Sequence, residues 1–317
     1  MALQPIEFGD IITNNDLITT KCWSDGTSSL GNYEGNIFTS SVQINSNTYP
    51  YYLDIYNSNP DTDPNAEIQF SLIYGDKQGS GSVLYDPNID GFSPSRTIYG
   101  QFRNLIYGDE NAEFNYGGVT SDYFVAIVIN RDRYRQSLMP GSFNIQLNGS
   151  PFTDDSNMVS APNYLDCGRV YQIVNGYSGS GLYNNYGLFL PDISTIVFNG
   201  DALPFAIDRS SNVNNENTLN FKSQIDTFSL LSQETVTSNY VFIRARNSEF
   251  NYSTNPSFIS GSTGQVLYKE FVDSPQTYIT TVGLYNNNND LLAIAKLGKP
   301  YAKNFTNEAL VKINLNY

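Results

Sequence analysis

Histidine is absent from all 317 residues. That one absence excludes Ser-His-Asp and Cys-His nucleophile systems, histidine-ligated zinc and a histidine pH switch. Cysteine occurs only at Cys22 and Cys167; the two could pair, but nothing in their spacing requires it, and free thiols are expected in a protein assembled in the cytoplasm. Charged residues make up 15% of the chain, and 31 acidic against 17 basic residues leave a net charge of −14. A negative field repels phosphate backbones and no Lys/Arg run offsets it, so no nucleic-acid partner is expected. No apolar run approaches the ~18 residues that span a bilayer, so no membrane insertion is expected. The opening Met1-Ala-Leu-Gln-Pro5 has neither a basic nor an apolar leader segment, and no secretory signal is expected.

What the chain does contain is aromatic. It holds 24 Tyr and 19 Phe, with Gly, Pro, Asn and Ser between them, the composition of strands joined by many turns. Helix-forming Ala, Leu, Glu and Lys rarely gather into runs. The expected fold is mainly β: two or more antiparallel β-sandwich-like domains with one or two short amphipathic helices. The polar, turn-rich stretch 148–162 predicts an internal boundary. The expected organisation is a β-rich domain over 1–150, a middle β region over 151–238 and a C-terminal sheet over 239–317.

Two segments predict helices. In residues 93–108, Ser93 can cap the free amides and Pro94 fits the first helical position. Ile98, Phe102, Leu105 and Ile106 then form an apolar stripe over 95–107, and Gly108 stops it. Phe221, Ile225, Phe228 and Leu231 recur at near-helical spacing and predict a second helix over about 219–231. Residues 122–129 are almost continuously apolar and predict a strand buried on both faces.

Three stretches imitate chemical sites. Asp61, Asp63, Asn65 and Glu67 alternate like the first ligands of a calcium loop, but Ala66 replaces the turn glycine and Leu72 the bidentate glutamate. The glycines of 75–81 lack the Gly-Lys-Ser/Thr ending of a phosphate loop, and extended chain follows. Asp201 and Asp208 imitate a carboxylate pair, but carboxylates in loops are usually only solvated. The expected sets of catalytic residues, metal ligands and cofactors are therefore empty.

The C-terminal third is the organising stretch. Residues 278–285 read as a strand, Asn286–Asn289 and Asp290 as a turn, and 291–297 as a return strand stopped by Gly298 and Pro300. Val311, Ile313, Leu315 and Tyr317 alternate with polar residues in a third strand, giving a small three-stranded sheet. Tyr278, Leu284, Tyr285, Leu291, Leu292, Leu315 and Tyr317 are the interface candidates.

Residues 245–256 (ARNSEFNYSTNP) and 279–297 (ITTVGLYNNNNDLLAIAKL) resemble virion structural proteins of contractile-tailed bacteriophages, the myoviruses of cyanobacteria and their relatives. The blocks YGDKQGSGS (74–82), SPSRTIYGQFRNLIYG (93–108), YGLFLPD (186–192) and IVFNGDAL (196–203) extend that resemblance over most of the chain. The resemblance implies a non-enzymatic structural component, most of all a baseplate protein acting through subunit packing. The implied partners are other tail or baseplate subunits and further copies in a symmetric assembly, within a virion assembled in the host cytoplasm. A neck, collar or capsid-surface position is the alternative. A glycan-binding or glycan-cleaving virion protein is the alternative of another class, because two carboxylates suffice for glycoside cleavage.

Overall fold

The computed structural model describes residues 5–31, 37–45, 52–79, 94–175, 185–209 and 214–316. The protein is mainly β, with four short α-helices among the described residues. It divides into two compact units, Leu17–Glu234 and a discontinuous one made of Met1–Asp16 with Thr235–Tyr317.

The larger unit is built on one antiparallel sheet. Its strands follow the order Ser29–Gly31, Ile225–Ser229, Asn144–Leu147, Ser150–Asp154, Gly168–Asn175, Gly187–Leu190, Thr195–Asn199, Tyr123–Ile129, Ile68–Asp76 and Tyr52–Tyr56. Asn163–Leu165 pairs beside the path with Gly168–Asn175. Phe228 and Phe70 lie seven strands apart in this order, which would separate them by about 34 Å in a flat sheet at ~4.8 Å per strand. Their ring centroids are 5.3 Å apart, with Trp23 against both. The sheet therefore curls until its two ends meet over a shared interior.

The strand Tyr123–Ile129 supplies both faces of this curl, as its unbroken apolar text predicts. Val125, Ile127 and Ile129 point inward to a core with Leu53, Phe70, Phe143, Phe189 and Phe198. Phe124 and Ala126 point outward to a second core. The helix Ser95–Tyr107 covers that outer face with Ile98, Tyr99, Phe102 and Ile106. Gly108 ends it in the left-handed conformation, its N–H donating to the Asn104 carbonyl at 3.0 Å, the common glycine C-cap. Ser93, the expected cap, lies outside the described residues.

Leu105 is exposed rather than part of the stripe. At about 100° per residue, Ile98, Phe102, Ile106 and Tyr99 span an arc of about 100°, and Leu105 falls just beyond its edge. The second helix is also displaced. It runs Asn214–Ser223 and sends Phe221 into the interior against Phe198 and Phe205. Ile225 and Phe228 belong instead to the strand Ile225–Ser229. A register shift between Ile225 and Thr227 turns residues three apart onto one face, so a bulge imitates helical spacing. Asn148 and Gly149, both left-handed, form the turn between the paired strands Asn144–Leu147 and Ser150–Asp154, inside the one sheet. Cys22 and Cys167 are free, and each is buried in a different core.

In the smaller unit, Ala309–Asn316 pairs antiparallel with Leu231–Ala245, so it does not extend the hairpin into a three-stranded sheet. The hairpin Gln276–Tyr285 and Leu291–Asn304 stands as a sheet of its own. Its second strand does not stop at Gly298 and Pro300. Ile279 faces Tyr301 and Thr281 faces Lys296, so residues 297–300 bulge opposite Thr280 alone, where a missing N–H costs no ladder bond. No helix among the described residues is long and apolar enough to cross a membrane.

Candidate interaction surface

The hairpin has one face inside and one face out. Val282, Leu284, Ala293 and Ala295 pack on Val241, Ile243, Val311, Ile313 and Leu315, and of these only Val241, Leu284 and Ile313 are buried. Small alanines on the inward side let the two layers approach. The larger residues therefore alternate outward: Leu292 is 67% and Ile294 63% exposed. Gly283 lies beneath the Tyr285 ring and Leu291, an arrangement in which an aromatic ring covers a strand glycine.

The turn is held by its own asparagines. The Asn286 side chain accepts from the backbone N–H of Asn288 at 2.9 Å and of Asp290 at 2.8 Å, and Asn289 takes φ 65°. Asn is among the few residues that adopt this conformation readily. At the other end, the Lys303 ammonium is fully buried. It donates to the Asn251 side chain at 2.8 Å and to the carbonyls of Asn304 and Asn247 at 2.9 and 3.1 Å. All three ammonium hydrogens thus have acceptors. Desolvation lowers its pKa, and the contacts fasten the 247–251 loop to the hairpin.

Of the interface candidates, Tyr278, Leu291 and Leu292 are exposed, and Tyr285 and Leu315 are half-buried. Leu284 belongs to the unit's own small core rather than to its surface. Tyr317 lies outside the described residues. Ile294, Tyr301, Phe305 and Leu310 are exposed as well, beyond the set that the sequence pattern singles out. The alternation of Ala293 and Ala295 with Ile294 was the available signal, legible only once the alanine face is known to be covered.

Charge separates with the units. Leu17–Glu234 carries 10 basic and 23 acidic residues, whereas the rest of the chain carries 7 and 8. The apolar hairpin thus belongs to the nearly neutral unit.

The larger unit holds buried carboxylates, each already engaged. Asp76 accepts both Nε and Nη2 of Arg209 at 3.0 and 2.9 Å, the Tyr74 hydroxyl at 3.0 Å and the Gln78 N–H at 2.9 Å. Arg209 also stacks 4.4 Å from the Tyr123 ring centroid. Burial, with Asp76 beside it, pushes the Tyr74 phenol well up, and burial with the Asp201 hydrogen bond pushes Tyr123 to about 12. Asp154 accepts from the N–H groups of Gly141 and Ser156, and Asp155 from Gln172. Burial raises the Asp155 pKa, and Asp154 adds to the rise.

The imitation sites resolve into local turns. Asp61 accepts from the Ser41 side chain and N–H and Asp63 from the Asn65 N–H, hydrogen bonds that lower both pKa values. Asp201 accepts the Ser121 hydroxyl, while the Asp208 N–H donates to Asn217. Residues 80 and 81 of the glycine stretch lie outside the described residues. Among the described residues, no group of three His, Cys, Asp or Glu is placed to hold a metal ion. Comparison with protein-family models, curated proteins and solved structures gave no match to this chain.

Proposed function

We propose that this chain is a non-enzymatic structural subunit of a contractile-tailed phage particle, seated in the baseplate and acting by packing against neighbouring subunits. The outward face of the hairpin carries the reading. Leu292 and Ile294 stand exposed on a nearly neutral unit, and apolar side chains clustered on a surface mark contacts with other proteins. The resemblance of residues 245–256 and 279–297 to virion proteins supplies the particle. The engaged state of Asp76, Asp154 and Asp155 supports packing over catalysis, since a glycoside hydrolase needs two carboxylates aimed at one bond.

The test is incorporation. Particles assembled with the double variant Leu292→Glu/Ile294→Glu should lack the chain, while the purified variant keeps its melting curve because both side chains are exposed. Incorporation at the normal level would remove the hairpin as the contact. A reconstruction of the whole particle that places the chain at the neck or on the capsid would overturn the baseplate position. Release of reducing ends from host polysaccharide, abolished by changing one carboxylate, would overturn the non-enzymatic reading.

A further inference from the structure

The strand Ile11–Lys21 is an edge strand. Thr13 bonds Asn239, Asn15 bonds Thr237 and Thr20 bonds Ser232, so one side of it lies antiparallel on Leu231–Ala245. Its other side pairs with no strand among the described residues. Every residue except Thr20 is exposed, and Ile11, Ile12, Leu17 and Ile18 are between 44% and 56% exposed. Soluble proteins commonly block such edges with lysine, proline or a bulge. Here the only charges are Asp16 in the middle and Lys21 at the end, and no proline interrupts the 11 residues.

We propose that this strand pairs antiparallel with the same strand of a second copy, across a two-fold axis at Asn15. The strand's own pattern selects the partner and the register. A two-fold axis relating antiparallel strands stands normal to the sheet and preserves its faces. Opposed side chains share a face, so the axis must set some residue opposite its own copy. An axis at Asn14 would set Ile12 against Asp16 and Ile18 against Asp10. An axis at Asp16 would set two carboxylates against each other, which is destabilising. The axis at Asn15 sets Ile12 against Ile18, Thr13 against Leu17, Ile11 against Thr19 and Asn14 against Asp16. No carboxylate then faces another carboxylate or an aliphatic side chain. The contact is isologous and closed, as most homodimers are. Asp16 and Lys21 sum to zero in a chain of net charge −14, so two copies meet here with little local repulsion.

This pairing depends neither on the hairpin face nor on the particle. Sedimentation equilibrium of the full chain at rising concentration, up to roughly 100 μM, should show a species of twice the 35.4 kDa chain mass, in the affinity range of small interfaces. Ile18→Lys, at an exposed position, should leave the far-ultraviolet spectrum unchanged. It should weaken the dimer roughly tenfold, because the symmetry removes the Ile12–Ile18 pair twice. Under mild oxidation Asn15→Cys should form a disulfide dimer, its two copies being opposed. Thr13→Cys should not, since its copies are offset by four residues, about 13 Å, against the ~7 Å limit between Cα atoms of a disulfide. Cys22 and Cys167 are buried and do not compete. A monomer at every concentration, a dimer indifferent to Ile18→Lys, or equal cross-linking of both cysteine variants would each overturn the proposal.

Discussion

Gly75 and Phe124 sit directly opposite each other on neighbouring strands, and the ring of one occupies the place a side chain would take on the other. A Cβ on Gly75 would lie 2.6 Å from Cζ and 2.7 Å from Cε1 of Phe124. The Phe124 ring also meets Phe114 at 4.8 Å, Phe102 at 5.3 Å and Tyr99 at 6.0 Å. Phe124→Ala should therefore cost about 4–5 kcal/mol, the upper part of the range for a buried phenylalanine with aromatic neighbours. Gly75→Ala alone should cost about 1–3 kcal/mol by overpacking, since its backbone is not left-handed and only the ring obstructs it. Together the two should cost about 2 kcal/mol less than their sum, because the new methyl enters space the ring has vacated. Urea unfolding followed through Trp23 reads this directly. Trp23 is the sole tryptophan and is buried in the same unit. At a slope of ~3 kcal/mol per molar urea, the Phe124→Ala midpoint should fall by about 1.5 M. Costs that add to within ~0.5 kcal/mol would refute the steric account.

The two thiols should be silent in the folded protein. Burial pushes Cys22 up to about 12 and Cys167 up to about 11, and the thiolate is the reactive form. A disulfide reagent at pH 8 should find no fast thiol in native protein and two after denaturation; one fast-reacting native thiol would contradict the burial. Asp155→Asn should stabilise the protein at neutral pH. A raised folded pKa means that this carboxyl's contribution is fully present below its unfolded value of ~3.9 and is lost as pH rises through the folded one. An asparagine oxygen can still accept the Gln172 N–H that Asp155 accepts at 2.9 Å. The gain, read from melting curves across pH, should shrink on acidification, and growth instead would show the sign to be wrong.

Elements whose side chains report their own surroundings were legible in the sequence. Tyr123–Ile129 is apolar at every position and is buried on both faces. Asn286 to Asp290 form the turn their chemistry predicts, and Gly108 caps its helix. Elements decided by pairing were not legible. Ile225 and Phe228 read as helix because the bulge beside them leaves no mark in residue spacing. Residues 297–300 read as a stop because Gly298 and Pro300 fit a bulge as well as an end. Ala309–Asn316 reads as a third strand of the hairpin, its neighbour in sequence, although its ladder partner is Leu231–Ala245. Among the interface candidates, Leu284 and Leu292 are the same residue type on one hairpin. Only the covering layer, which periodicity does not encode, sends the first inward and the second out.

The discontinuous unit sets an order of events at the ribosome. Thr13 and Asn239, bonded in the finished sheet, are separated by 226 residues. At ~5–20 residues per second, the first strand emerges on the order of ten to fifty seconds before its partner. Through that interval Ile11, Ile12, Leu17 and Ile18 belong to a strand whose sheet neighbour Leu231–Ala245 is not yet in place. The segment Ile11–Lys21 must be shielded until Leu231–Ala245 has been translated.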